Sequence, residues 1–402
     1  MSRVKPFTRE AVPEVASLIW NFLYKRRGLV PASFETYLHE LFFCSPYADA
    51  DFPSLVYADD RGAIRGFLGV VSRPMLIGQD RVRATSGSSF IVHPESRSTP
   101  APLELVRTYF SRGQDLSFSD TANATSQALW KAFGGTALPG SDLHWSRPLR
   151  PVSYCFHALS HAVKAKMPFV SRAVTRLCRT ADRLASGALV PERSFPPGLH
   201  AVELDAETLL SLMRVSSKRD AIRPSYSRAS ADWLLRFMAR MRAYGELRKV
   251  AVKDESSNAI GCYVYYARPH GIGELAYFGA TAKHAGIVLD HLFADAASRG
   301  LIALHGKLDP PIASQLSGRV RFVYNGRDPL LVRGHRPDLA EALQKGAVSI
   351  SRLDGEWSLK FGAEGLTDDL LEEATAASGL RQSKQVVQPW PKLPRTQVHT
   401  SH

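Results

Sequence analysis

His93 and Asp120 are the residues placed to move protons. His93 ends the run Ser88-Ser89-Phe90-Ile91-Val92, and Asp120 ends Leu116-Ser117-Phe118-Ser119. An imidazole or a carboxylate at a strand end can exchange a proton with a reactant in an adjoining cleft. Each also has a structural reading: a histidine fixing the turn before Pro94, and an aspartate capping the helix that opens near Asn123. Between them lies Arg97-Ser98-Thr99-Pro100-Ala101-Pro102, which leads into the helix-like run Leu103–Phe110. A helix N-terminus presents backbone N–H groups and a positive dipole end to a phosphate. Arg97 adds charge, and Ser98 and Thr99 add hydroxyls. Pro100 and Pro102 subtract donors, because proline lacks an N–H, although Pro102 suits the first helical turn. The alternative is a plain strand-to-helix turn. Further on, Arg219, Arg223 and Tyr226 combine cations with an aromatic ring. That mixture suits a polar ligand, or equally a solvated loop.

A chain of 402 residues is too long for one ordinary core and fits two domains and a tail. Apolar content of 45% with 22% charged residues excludes a disordered chain. No apolar run reaches the roughly 18 residues of a membrane span, and Met1-Ser2-Arg3-Val4-Lys5-Pro6 has no apolar signal segment. Cys44, Cys155, Cys178 and Cys262 are scattered without a CxxC pair. Reduced thiols in a cytoplasmic protein are expected, with no zinc cluster. No GxSxG, HExxH, Walker A or kinase signature occurs, and no metal-ligand spacing stands out.

The net charge of +13 suits an anionic partner (nucleotide, CoA, nucleic acid or membrane surface) or a generally basic surface. Part of the excess is local: Lys164, Lys166, Arg172, Arg176, Arg179 and Arg183 stand against only Asp182. That stretch reads as basic helices able to touch anionic lipid, or as a solvated linker.

Periodicity supplies the elements. Residues 9–28 and 34–43 have helical spacing. Leu55–Ala58, Ile64–Ser72, Met75–Ala84 and Ser86–His93 read as strands. A crossover helix then leads to Leu116–Ser119, which makes the last two strands parallel. Trp145–Leu149 reads as a closing strand. The second half repeats the order: helices 207–215 and 230–244, the latter with Ser230 as N-cap, strands 247–253, 260–267 and 272–279, a helix over 285–298, and a strand over 301–307. These readings divide the chain into 1–150, a basic helical linker 151–198, 199–365, and a tail 366–402 expected to be disordered.

The unit Ser88–Gly135, with Arg97 before its helix and Asn123-Ala124-Thr125-Ser126-Gln127-Ala128-Leu129-Trp130-Lys131-Ala132-Phe133-Gly134 after its second strand, resembles the core of the GNAT acyl-CoA N-acyltransferases. The resemblance implies an α/β fold with mixed sheets, here as two GNAT-like domains in tandem. It implies acyl-CoA as co-substrate and direct attack by a small-molecule amine. Ile91 and Val92 would pair with the pantetheine arm, and the Val92 N–H would polarise the acyl carbonyl. Arg97, Ser98, Thr99 and Ala101 would hold the pyrophosphate, with Asn123 and Trp130 alongside. Asp120 or His93 would serve as general base, and Arg219, Arg223 and Tyr226 would line the acceptor cleft. Trp130 stands where the family often has a tyrosine that protonates the departing thiolate, which tryptophan cannot do. Residues 280–286 lack the arginine-glycine pattern, so only the first half is expected to bind CoA. Two further readings stay open. One is an aminoacyl-tRNA-dependent transferase of the Fem type, the one case in which nucleic acid is a partner. The other is a degenerate scaffold that binds an anionic partner without turnover.

Overall fold

The computed structural model describes residues 3–26, 28–164, 198–216, 221–308, 322–326 and 328–362, with isolated positions between 174 and 184 and between 313 and 319. Arg219, most of the basic linker and the tail lie outside the described residues.

The first half lays down β1 (Val4–Pro6), α1 (Val12–Phe22), α2 (Ala32–His39), β2 (Leu55–Ala58), β3 (Ile64–Ser72), β4 (Met75–Ile77), β5 (Asp80–Val82), β6 (Ala84–Val92), α3 (Ala101–Phe110), β7 (Leu116–Ser119), α4 (Ala124–Ala132), β8 (Thr136–Ala137), β9 (Leu143–Pro148) and α5 (Pro151–Lys164). The second lays down β10 (His200–Glu203), α6 (Ala206–Ser216), β11 (Arg223–Pro224), α7 (Arg228–Ala239), β12 (Glu246–Lys253), β13 (Ala259–Ala267), β14 (Ile272–Ala280), α8 (Ala285–Ser298), β15 (Ala303–Lys307), β16 (Phe322–Asn325), β17 (Leu331–Gly334) and α9 (Pro337–Gln344).

Two seven-stranded mixed sheets result, ordered β1-β2-β3-β6-β7-β17-β8 and β10-β12-β13-β14-β15-β9-β16. The expected parallel pairing of β6 with β7 is present, and β14 with β15 repeats it. The halves also exchange strands. β9 leaves the first half to pair between β15 and β16, and β17 returns from the second to pair between β7 and β8.

Local chemistry explains the departures from the sequence reading. Met75–Ala84 is not one strand, because Gly78 adopts φ +59° and folds it into the β4–β5 hairpin. The helix expected over 9–28 ends at Phe22, and Lys25 turns the chain with φ +51°. Ser230 is not the cap of α7. Ser227 accepts from the Ser230 N–H, while the Ser230 hydroxyl accepts from the Ser227 N–H, closing a capping box.

Each sheet is covered by an amphipathic helix. On α3, Ala101, Leu105, Val106, Tyr109 and Phe110 are buried, and on α8, Val288, Leu289, Leu292 and Ala296 are. Each large apolar side chain of this kind stabilises the fold by about 1.5–3 kcal/mol. Gly66 lets α3 approach β3, since a Cβ there would lie 2.9 Å from Leu105 Cδ1. A third core joins the halves, with α1 and α2 packed against α6, α7 and the segment 353–361. Phe34 lies 4.9 Å from Phe361, and Tyr37 5.8 Å from Phe237, centroid to centroid.

Candidate active site

The two central strands of the first sheet begin paired and then part. Ala84, Thr85 and Ser86 of β6 face Leu116, Ser117 and Phe118 of β7, after which β6 continues to Val92 alongside β3 alone. One edge of β6 therefore turns its backbone groups into an opening instead of a ladder. The β3–β6 register slips between Phe67↔Ile91 and Gly69↔Ser88, so Leu68 opposes both Ser89 and Phe90. Ser89 takes φ +48°, uncommon for a non-glycine residue. Bulges of this kind re-aim backbone and side chain. Here the Ser89 N–H donates to Glu356 Oε1 at 2.7 Å.

A cavity of about 260 Å³ fills the opening. Its walls are Gly87–Phe90 of β6, Val106 and Tyr109 of α3, Asn123, Ser126 and Trp130 of α4, Tyr24 and Tyr37 from the N-terminal helices, and Tyr244, Glu356 and Phe361 of the second half. The volume lies just under the ~300–1,000 Å³ of typical small-molecule sites and suits a slender chain. Asn123 shapes the α4 wall as its N-cap, accepting from the Ser126 N–H at 3.0 Å. Trp130 packs edge-on to Phe110 at 5.0 Å, serving as core and cavity wall together.

Two carboxyl groups meet here. Glu356 is half-buried on the cavity wall, and besides Ser89 it accepts from the Thr121 hydroxyl. Burial pushes its pKa up, and the neighbouring Asp120 adds to this, against the Thr121 and Ser89 hydrogen bonds. Asp120 is 4% exposed. Its carboxylate accepts from the Glu356 N–H at 2.8 Å and the Trp357 N–H at 3.4 Å, capping the single helical turn Glu356–Leu359. Asp120 thus holds the segment that carries Glu356. Gly355 is required at this junction, because a Cβ would collide with the Asp120 carboxyl group. Gly355→Ala should cost about 1–3 kcal/mol by overpacking, read as a lower denaturation midpoint. An unchanged midpoint would show that Asp120 yields without strain.

The other candidates fall elsewhere. His93 donates its backbone N–H to Arg65 O at 2.8 Å, and its ring lies edge-on to Phe22 at 4.6 Å. It does not line the cavity. Because strand backbones alternate, Val92 then turns its N–H and C=O away from β3, and its C=O accepts from Arg97 Nε at 3.3 Å. Ile91 is buried against β3. Arg97, Ser98 and Thr99 are exposed, but the loop spends its donors on itself. Arg97 N–H reaches Pro94 O at 3.3 Å, Thr99 N–H reaches Ser96 O at 3.2 Å, and Ala101 N–H reaches Thr99 Oγ1 at 3.3 Å. Arg223, in β11, pairs antiparallel with Leu76 of β4 and donates to Gly78 O at 2.7 Å, away from the cavity. Tyr226 donates to Asp354 Oδ1 at 2.6 Å and lines a second, smaller cavity. Glu356, Thr121 and the Ser89 bulge were not singled out in the sequence, and no motif surrounds Glu356.

Solved structures of other proteins have a similar fold. A conserved Enterococcus faecalis V583 protein, described as a probable N-acyltransferase, aligns with TM-score 0.55 at 10% identity, covering 83% of this chain and 73% of that one. The chain has the GNAT fold. A GCN5-related N-acetyltransferase from Kribbella flavida gives TM-score 0.51 at 13% identity over 83% of this chain and 70% of its own. Saccharomyces cerevisiae N-myristoyltransferase, solved with myristoyl-CoA and inhibitors, gives 0.50 at 12% identity over 84% of both chains. No family profile and no curated protein matches the sequence significantly. The GNAT likeness is therefore carried by the path of the backbone.

Proposed function

We propose that this protein transfers an acyl group from acyl-CoA to an amine by direct attack. The observation that carries the reading is the opened β6 edge, where the Ser89 N–H and the Glu356 carboxylate meet at the cavity wall. The pantetheine arm fits the opening as an extended chain along β6. For the pyrophosphate, the loop offers the Arg97 side chain and Ser98 more than a cradle of amides, since Arg97, Thr99 and Ala101 direct their N–H groups into turns.

The Ser89 N–H is the donor placed to polarise the acyl carbonyl. A carbonyl oxygen entering the cleft competes with Glu356 for that N–H, and the freed carboxylate takes a proton from the attacking amine. The N–C bond forms, the C–S bond breaks, and the thiolate leaves to be protonated by solvent, because Trp130 has no proton to give. The raised pKa of Glu356 makes it a stronger base than an exposed carboxylate. The scaffold reading draws on the self-satisfied loop, and the Fem-type reading shares that support.

Calorimetry with acetyl-CoA separates the acyl-CoA reading from the other two. Arg97→Ala should weaken CoA binding about ten- to hundredfold, the worth of one hydrogen bond to a charged group, with the fold intact. If the wild type does not bind CoA, the acyl-CoA reading fails and the scaffold reading replaces it.

A further inference from the structure

Apart from the acyl-transfer site, a second cavity of about 130 Å³ lies where the two halves meet. Its floor holds Arg73 and Asp354, and Pro46, Pro74 and Ser227 on its rim are exposed. The halves are tied there by the Ser225 N–H donating to Pro74 O at 2.8 Å.

Arg73 is only 3% exposed, yet none of its three guanidinium nitrogens has a hydrogen-bond partner. A buried cation is costly unless something balances it. Part of the balance is visible. The guanidinium carbon lies 4.1 Å from the centre of the Tyr47 ring, a cation–π contact that occupies one face. The N–H edge is left for another partner. Asp354 lies on the same cavity and its charge and that of Arg73 attract, but its oxygens already serve the turn. Oδ1 accepts from Tyr226 at 2.6 Å, and Oδ2 accepts from the Ser351 N–H at 2.6 Å and hydroxyl at 2.8 Å.

We propose that this cavity binds a small carboxylate, whose two oxygens pair with the in-plane N–H groups of Arg73. The planar guanidinium matches a carboxylate in bidentate geometry. The volume, about four waters at ~30 Å³ each, admits a group of acetate or propionate size. Pro46, Pro74, Met75 and Pro224 give its hydrocarbon end apolar contact. The Asp354 carboxyl on the same cavity disfavours a doubly charged anion such as phosphate.

The test titrates full-length protein with sodium acetate, sodium propionate or phosphate against sodium chloride at constant ionic strength, following the melting temperature and heats of binding. Acetate and propionate should raise the midpoint above the chloride control. Arg73→Met should lose that response. The proposal is overturned if the wild type ignores both carboxylates, or if Arg73→Met keeps the full response. Stronger stabilisation by phosphate overturns the carboxylate assignment. Should Arg73→Met fail to fold, Arg73→Lys decides: it keeps the charge without the fork, so carboxylate affinity should fall at least tenfold, and unchanged affinity overturns the proposal.

Discussion

Glu356→Gln should lower the acyl-transfer rate by about 10²- to 10⁴-fold, the usual worth of a positioned general base. Glutamine keeps its oxygen for the Ser89 N–H, turns its NH2 toward the Thr121 hydroxyl, which then accepts, and loses the capacity to take a proton. CoA affinity should stay near the wild-type value. The pH profile is the sharper reading. Burial, with Asp120 behind it, raises the Glu356 pKa, so the wild-type rate should climb with pH through a value above the ordinary carboxylate range. The variant should lose that limb.

Stability should move the opposite way. A carboxyl whose folded pKa is raised holds its proton more tightly when folded. Its contribution is fully present below the unfolded pKa and is lost as pH rises through the folded one. Glu356→Gln escapes that loss, so the variant should gain stability relative to wild type from mildly acidic pH upward. A slow but more stable enzyme marks a chemical role. If the variant is slow and also less stable at neutral pH, Glu356 is structural and the base lies elsewhere.

What the sequence disclosed follows from how local each signal is. β2 and β3 match the expected boundaries because a four-residue turn, Asp59–Gly62, separates two apolar runs. α8 matches because its buried residues recur at helical spacing. The parallel β6–β7 pair was legible because a helix between two strands dictates the crossover. The exchange of β9 and β17 was not legible, since each pairs with strands of the other half and nothing local marks the partner. The same holds for the site. Asn123 and Trp130 sit in a recognisable helix and do line the cavity. Glu356 meets Thr121 across 235 residues, in a stretch read only as the end of the second half. Asp120 stood out as a lone carboxylate at a strand end, but its partners are backbone N–H groups brought to it by that same remote segment.

Arg352→Met should be the most destabilising of these substitutions, by about 3–5 kcal/mol, the cost of breaking a buried ion pair from one side. The Arg352 side chain is 3% exposed and donates to Glu274 Oε2 at 2.7 Å and Leu275 O at 3.4 Å, with the Trp357 ring 4.9 Å away. Its other arm donates to His144 Nδ1 at 3.3 Å, while His144 Nε2 lies 3.1 Å from Asp328 Oδ1. Burial pushes Glu274 up, but Arg352 and His305 outweigh it and hold the carboxyl at about 2. A depressed pKa contributes stability above the unfolded value, lost as pH falls through the folded one. For Glu274 that window runs from the ordinary value of 4.5 down to about 2. Without Arg352 the half-buried Glu274 has lost its main counter-charge, so the penalty is greatest at neutral pH and shrinks in acid as Glu274 takes a proton. Denaturant unfolding at pH 7 and pH 4 reads both limbs. Arg352→Met combined with Glu274→Gln should recover most of the loss, because no charge is then stranded. Arg352 lies four residues before Glu356 and ties their shared segment to β14, so the single variant should also lose acyl transfer. A rescued fold with activity still low would show that Arg352 positions the Glu356 carboxylate. A single variant as stable as wild type at pH 7 would refute the pairing.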